Sequence, residues 1–160
     1  MIPEPSLLMI APMADDLDLA RLPWSEAAAE HISVNPAKFK NLEMVEVIFD
    51  AMTFLVSRLT VSETHQHLVA KKCKPLSCAP PDVGESAIGV ALGENLASAG
   101  NLPEVNRRLL LLGKWIGEGL NATAAAWLPS RRLTNFSQYA RAVDQYVSDG
   151  RFPAFFQTSI

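Results

Sequence analysis

Residues 122–128, Ala-Thr-Ala-Ala-Ala-Trp-Leu, carry no charge and stop at Pro129. This run lies between two segments with helical periodicity. Upstream, Asn101-Leu-Pro103-Glu104 opens a helix running to Leu120, with Glu104, Arg107, Arg108 and Lys114 on its polar side and Gly117 and Gly119 as termination signals. Downstream, Thr134 or Asn135 caps a helix through Val147, which places Phe136, Tyr139, Ala140, Val143, Tyr146 and Val147 along one face before Asp149-Gly150 ends it. The alanines could extend the first helix, but Asn121, Thr123 and Pro129 favour a buried strand. A charge-free strand between two amphipathic helices needs a sheet to join and a helical layer to cover it. The expected fold is therefore α+β: one two-layer domain over residues 1–160, with a small mixed or antiparallel sheet and helices mainly on one face. Its expected core includes Leu8, Ile10, Ile48, Leu55, Leu110, Trp115, Ala125, Trp127, Phe136 and Val143.

The first hundred residues are less regular. Residues 6–11 read as a short buried strand ended by Pro12, residues 13–22 as an acidic turn, and residues 23–31 as a short helix with Pro23 in its first turn. Asn35-Pro36 marks a break. In residues 41–60, Glu43, Glu46, Asp50, Thr53 and Ser57 recur at three- and four-residue spacings, which favours an amphipathic helix. A hairpin centred on Asp50 is the rival: Val, Ile, Phe and Thr favour strands, and Val47 and Phe54 fall on the helix's polar side. A polar helix follows over residues 63–72. Residues 73–86, with three prolines and a glycine, read as the longest loop, and residues 87–92 fit a strand or a helix start.

Apolar residues make up 49% of the chain and charged residues 19%, a balance that excludes intrinsic disorder. A net charge of −3 supplies no general basic field for nucleic acid, although a small basic patch remains open. No stretch approaches the ~18 uninterrupted apolar residues of a membrane span, and the N-terminal segment has no basic residue before its apolar run. These features lead us to expect a cytoplasmic protein with Cys73 and Cys78 as reduced thiols. The apolar surplus, including Phe152, Phe155 and Phe156, points to a protein partner or a homodimer if one core cannot hold it.

In the C-terminal third, Ala124-Ala-Ala-Trp127-Leu-Pro129-Ser130, Phe136, and Tyr146 followed by Gly150-Arg-Phe152-Pro153 form a recognisable series. It resembles the ending of an uncharacterised bacterial family classed as a domain of unknown function. Members of that family carry an Ala-x-Ala-x-Trp-x-Pro-Ser strand and turn, a helix with an inward Phe, and a Gly-x-Phe-Pro tail. The resemblance covers residues 103–156 and implies a small α+β domain with no assigned activity. Where the family often has two glycines before Phe-Pro, this chain has Gly150-Arg151.

Four groups of residues carry chemistry worth locating. His65 and His67 share a face only on a strand, where they could bind zinc with Cys73 and Cys78, although the spacing fits no established zinc pattern. Cys73 lies among Lys71, Lys72 and Lys74, whose field favours the thiolate, with His31, His65 or His67 as a possible base. Asp15, Asp16 and Asp18 lack the ligand offsets and the turn glycine of a calcium loop. Finally, Ser130, Arg131 and Arg132 follow Trp127 at a strand end, where two arginines and the N-terminus of the next helix could hold a carboxylate or phosphate. No nucleotide-binding loop, nucleophile elbow or zinc-protease motif occurs, and no cofactor is implied. The leading expectation is a non-enzymatic binding or interaction protein. The alternatives are a small thiol- or metal-dependent enzyme using His65, His67, Cys73 or Cys78, and an anion or small-ligand binder at Arg131 and Arg132.

Overall fold

The uncharged run forms strand β7, Ala124–Trp127, with all four residues buried near the middle of a sheet. A computed structural model describes residues 4–13, 16–36, 44–70, 73–76, 86–100 and 102–151. The other strands are β1 (Leu7–Ile10), β2 (Ile32–Pro36), β3 (Met44–Phe49), β4 (Met52–Leu59), β5 (Lys74–Leu76), β6 (Ala87–Leu92) and β8 (Arg132–Asn135). They form one eight-stranded sheet in the order β2-β3-β4-β6-β1-β7-β8-β5. All neighbours are antiparallel except β5 and β8, which run parallel. The helices are α1 (Glu26–Ala29), α2 (Val61–Ala70), α3 (Pro103–Leu120) and α4 (Phe136–Asp149). The α+β class stands, although eight strands make the sheet larger than expected.

Helices α3 and α4 cover one face. Leu7, Met9, Val47, Phe54, Val56, Ile88, Val90 and Trp127 meet Leu109, Leu112, Ile116, Tyr139 and Val143 there in one buried cluster. The opposite face holds a second cluster of Leu8, Ile10, Leu59, Ala87, Ala124, Ala126, Leu128 and Leu133, with Leu68 of α2 and Cys73 packed against it. Of the expected core, Leu8, Ile10, Leu55, Leu110, Ala125, Trp127 and Val143 are buried, whereas Ile48, Trp115 and Phe136 are half-buried. Among the described residues the large exposed apolar side chains are Val61, Val69, Leu102 and Val147. The two-faced sheet thus takes up most of the apolar content that the composition left unplaced; Phe152, Phe155 and Phe156 lie outside the described residues.

The helix expected over residues 41–60 is instead the β3–β4 hairpin, paired in register from Met44↔Ser57 to Phe49↔Met52. Val45, Val47 and Phe49 join the helix-covered core while Met44 faces the other side with Leu55. Apolar residues on both faces of a doubly covered sheet blur the two-residue period and imitate a helical one. Val47 and Phe54, the residues that fitted the helix poorly, are both fully buried. Asp50 and Ala51 close the turn with φ of 49° and 64°, the left-handed pair that a tight hairpin demands. Three more strands differ from the expectation: β2 lies across the break at Asn35-Pro36, β5 lies within the loop at 73–86, and β8 fills the segment before the cap of α4.

Helix α3 runs through Gly113, Gly117 and Gly119 to a left-handed cap at Asn121, whose φ is 56°. These glycines therefore admit neighbours and do not end the helix. A Cβ at Gly113 would come within 2.6 Å of the Tyr139 hydroxyl, and one at Gly117 would run into the Phe136 ring. The aromatic rings of α4 thus sit close against the α3 backbone. The fully buried Tyr139 hydroxyl donates to the Leu110 carbonyl at 2.6 Å, and burial pushes its pKa well above the usual phenol value.

Candidate anion-binding corner

The chain from β7 to β8 turns through a short 3-10 segment, Leu128–Ser130, with Pro129 inside it. Arg131 then takes a left-handed conformation (φ 57°), and its N–H donates to the Leu128 carbonyl at 3.1 Å. Ser130 is buried, and its hydroxyl donates to the Trp127 carbonyl at 3.4 Å. Trp127 is only 4% exposed and belongs to the core, so its ring does not line an open ligand site. What the turn presents outward is Arg131, which is exposed, and Arg132, which is half-buried at the first position of β8. Among the described residues, neither guanidinium has a carboxylate partner.

The expected support from the next helix is absent. Strand β8 separates the arginines from α4, and its four residues span about 13 Å at the usual strand rise. The first turn of α4 is capped by Asn135, whose side chain accepts from the Gln138 N–H at 2.8 Å. The corner therefore presents side chains without a helix N-terminus beside them. In return, the fold supplies something that sequence spacing did not. Parallel pairing of β5 with β8 sets Lys74 in register with Arg132. Arg132 thus has Trp127 as its neighbour on one side and Lys74 on the other. Lys74 and Arg132, far apart in the sequence, begin adjacent strands at the same end of the sheet. A three-residue strand containing proline, Lys74-Pro75-Leu76, has no periodicity that could have announced this.

The other candidate residues do not converge. His65 and His67 both lie on α2, where residues two apart point about 200° from each other. His65 is exposed and His67 half-buried. Cys73 is half-buried against the second core cluster, with its N–H donating to the Leu68 carbonyl at 3.0 Å. Lys71, Lys72 and Cys78 lie outside the described residues. Among the described residues, no three His, Cys, Asp or Glu side chains are grouped to hold a metal ion. His31 just precedes β2, at the edge of the sheet opposite β5, and is therefore remote from Cys73. Its ring stacks on Trp115 at 6.4 Å, and Trp115 stacks on Phe49 at 5.2 Å. Asp18 is occupied locally, accepting from the Ala20 N–H at 3.0 Å; Asp15 lies outside the described residues.

No helix among the described residues is long and apolar enough to cross a membrane. No family model matches the chain, and neither the curated proteins nor the solved structures give a match. The motif residues Ala124, Trp127 and Ser130 are buried, Phe136 fills the space at Gly117, and Gly150 caps α4 with φ 74°. All are packing and turn positions.

Proposed function

We propose that this chain is a small binding protein that holds an anionic group, a phosphate or carboxylate, at Arg131 and Arg132. The observation that carries the reading is the placement of two neighbouring cations at the β7–β8 turn, Arg131 exposed and Arg132 half-buried at the first position of β8. Arg132 is half-buried, and a cation partly withdrawn from water costs free energy unless it is paired. An anion supplied from outside fits that deficit, and guanidinium groups suit both carboxylate and phosphate geometry.

The test is thermal unfolding of the full chain at low ionic strength with and without inorganic phosphate. A ligand that binds only the folded state raises the melting temperature. Wild type should show that rise, and the double variant Arg131→Ala/Arg132→Ala should lose it while remaining folded. A wild type indifferent to both phosphate and acetate removes the reading.

A further inference from the structure

The two edges of the sheet are built differently, and from the difference we infer that the β2 edge pairs with the same strand of a second copy of this chain, antiparallel about a two-fold axis through Val34. An edge strand presents a row of unpaired backbone N–H and C=O groups, a template for any other strand. Folds blunt such an edge with short length, proline, charge, a bulge or a covering segment. At one edge, β5 has three residues, Lys74-Pro75-Leu76, and so combines brevity, a cation and a proline. At the other, β2 has five residues, Ile32–Pro36, none of them charged, and its one proline comes last. It pairs with β3 at every position from Ile32↔Phe49 to Pro36↔Val45, so no bulge turns it away. Among the described residues, no backbone group outside β3 bonds to residues 32–36.

The strand's own pattern identifies the occupant. Ile32 and Val34 are half-buried and pack against the helix-covered core, while Ser33 and Asn35 are exposed. In an antiparallel pair centred on Val34, that residue faces the partner's Val34, and Ser33 faces the partner's Asn35. Side chains alternate between the two faces of a strand, so the apolar row meets the apolar row and the polar row meets the polar row. A two-fold contact requires a patch that complements itself, and a charged strand would set like charges opposite each other. β2 carries no charge to do so, and a facing pair of β-branched residues favours the pairing. The sheet then continues from one copy into the other, and Ile32 and Val34 lose more of their contact with water. Strands β2 and β8 lie toward opposite edges, so the arginine corner stays free. Five paired residues alone make a contact smaller than the ~1,200 Å² at the low end of standard interfaces, so the expected dimer dissociates on dilution.

Sedimentation equilibrium of the full chain over a range of concentrations tests this. The weight-average mass of wild type should rise with concentration from monomer towards dimer. Ser33→Lys/Asn35→Lys changes two exposed positions and sets lysines opposite one another across the axis, so it should stay monomeric. Its circular dichroism and its melting temperature at low concentration should match those of wild type. Ser33→Glu/Asn35→Glu should also stay monomeric by itself. An equimolar mixture of the two should recover the dimer mass, because each lysine then faces a glutamate, and a folding defect would not be repaired by mixing. Wild type that remains monomeric up to its solubility limit overturns the proposal and leaves this edge to a strand of another protein. A mass that rises as steeply in Ser33→Lys/Asn35→Lys as in wild type places the contact elsewhere and overturns it too. So does a mixture that stays monomeric.

Discussion

Helix α3 and the β7–β8 turn both carry cations at half-buried positions, and the fold treats them in opposite ways. On α3, the Arg108 guanidinium lies 3.0 Å from Asp50 of the hairpin turn and 2.7 Å from Glu104, and it sits 5.8 Å from the centre of the Phe49 ring. Lys114 reaches Asp144 on α4 at 2.7 Å and Glu118 at 3.3 Å. Partial burial works against its charge, but the hydrogen bond to Asp144 and the two carboxylates outweigh it and raise the pKa. Each of these cations fastens α3 to another element. Arg131 and Arg132 fasten nothing among the described residues. A cation that faces an acid on another element ties the two together, and the two arginines of the turn make no such tie among the described residues.

The largest expected effect lies on the α3 side. Gly117→Ala would drive a methyl group into the Phe136 ring, and overpacking of this kind costs about 1–3 kcal/mol. Chemical denaturation should show that loss, and Phe136→Leu in the same chain should recover part of it. Phosphate-induced stabilisation should survive in the folded fraction, because the α3–α4 contact and the basic corner are separate. Loss of the phosphate response together with stability would break the division drawn between them.

A smaller effect sharpens the comparison directly. Arg108→Ala removes ion pairs with two half-exposed carboxylates and the contact with Phe49, which together are worth about 1–2 kcal/mol. Arg132→Ala should change stability by less than about 0.5 kcal/mol without ligand, because no ion pair is lost among the described residues. Equal destabilisation by the two variants would make Arg132 a structural cation and end the argument for a site.

The C-terminal half was far more legible in the sequence than the N-terminal half, for a physical reason. Helices of 18 and 14 residues with one apolar face each display their period over several turns, so α3 was read from Pro103 to Leu120. Capping chemistry narrows the start of α4 to Thr134 or Asn135, and the structure selects Asn135, which accepts from the Gln138 N–H. The β3–β4 hairpin carries apolar side chains on both faces, and its Glu46, Asp50, Thr53 and Ser57 fall by coincidence at helical spacing. The site divided in the same way. Arg131 and Arg132 are adjacent in the chain and could be noticed, whereas the pairing of β5 beside β8 joins backbone 58 residues apart, Lys74 with Arg132. The Arg108–Asp50 contact is likewise non-local, although the Glu104–Arg108 half of it has ordinary helix spacing.

The smallest effect concerns how Asp50 is delivered to Arg108. Asp50 and Ala51 both take the left-handed conformation, which costs an L-residue other than Gly roughly 1–2 kcal/mol. Asp tolerates it better than Ala does, because its short polar side chain can hydrogen-bond nearby. Ala51→Gly removes the steric cost at one position and adds glycine's entropy loss on folding, about 0.5–1 kcal/mol. The net expectation is a stabilisation of about 0.5 kcal/mol, read as a higher denaturation midpoint with an unchanged slope. If the turn merely presents Asp50, this gain should be the same with Arg108 or Ala at position 108, so the two changes should be additive. A gain that depends on Arg108 would mean that the ion pair forces the turn into its left-handed form. The paired cation would then be shaping the hairpin as well as fastening it, a stronger structural role than any the unpaired corner plays.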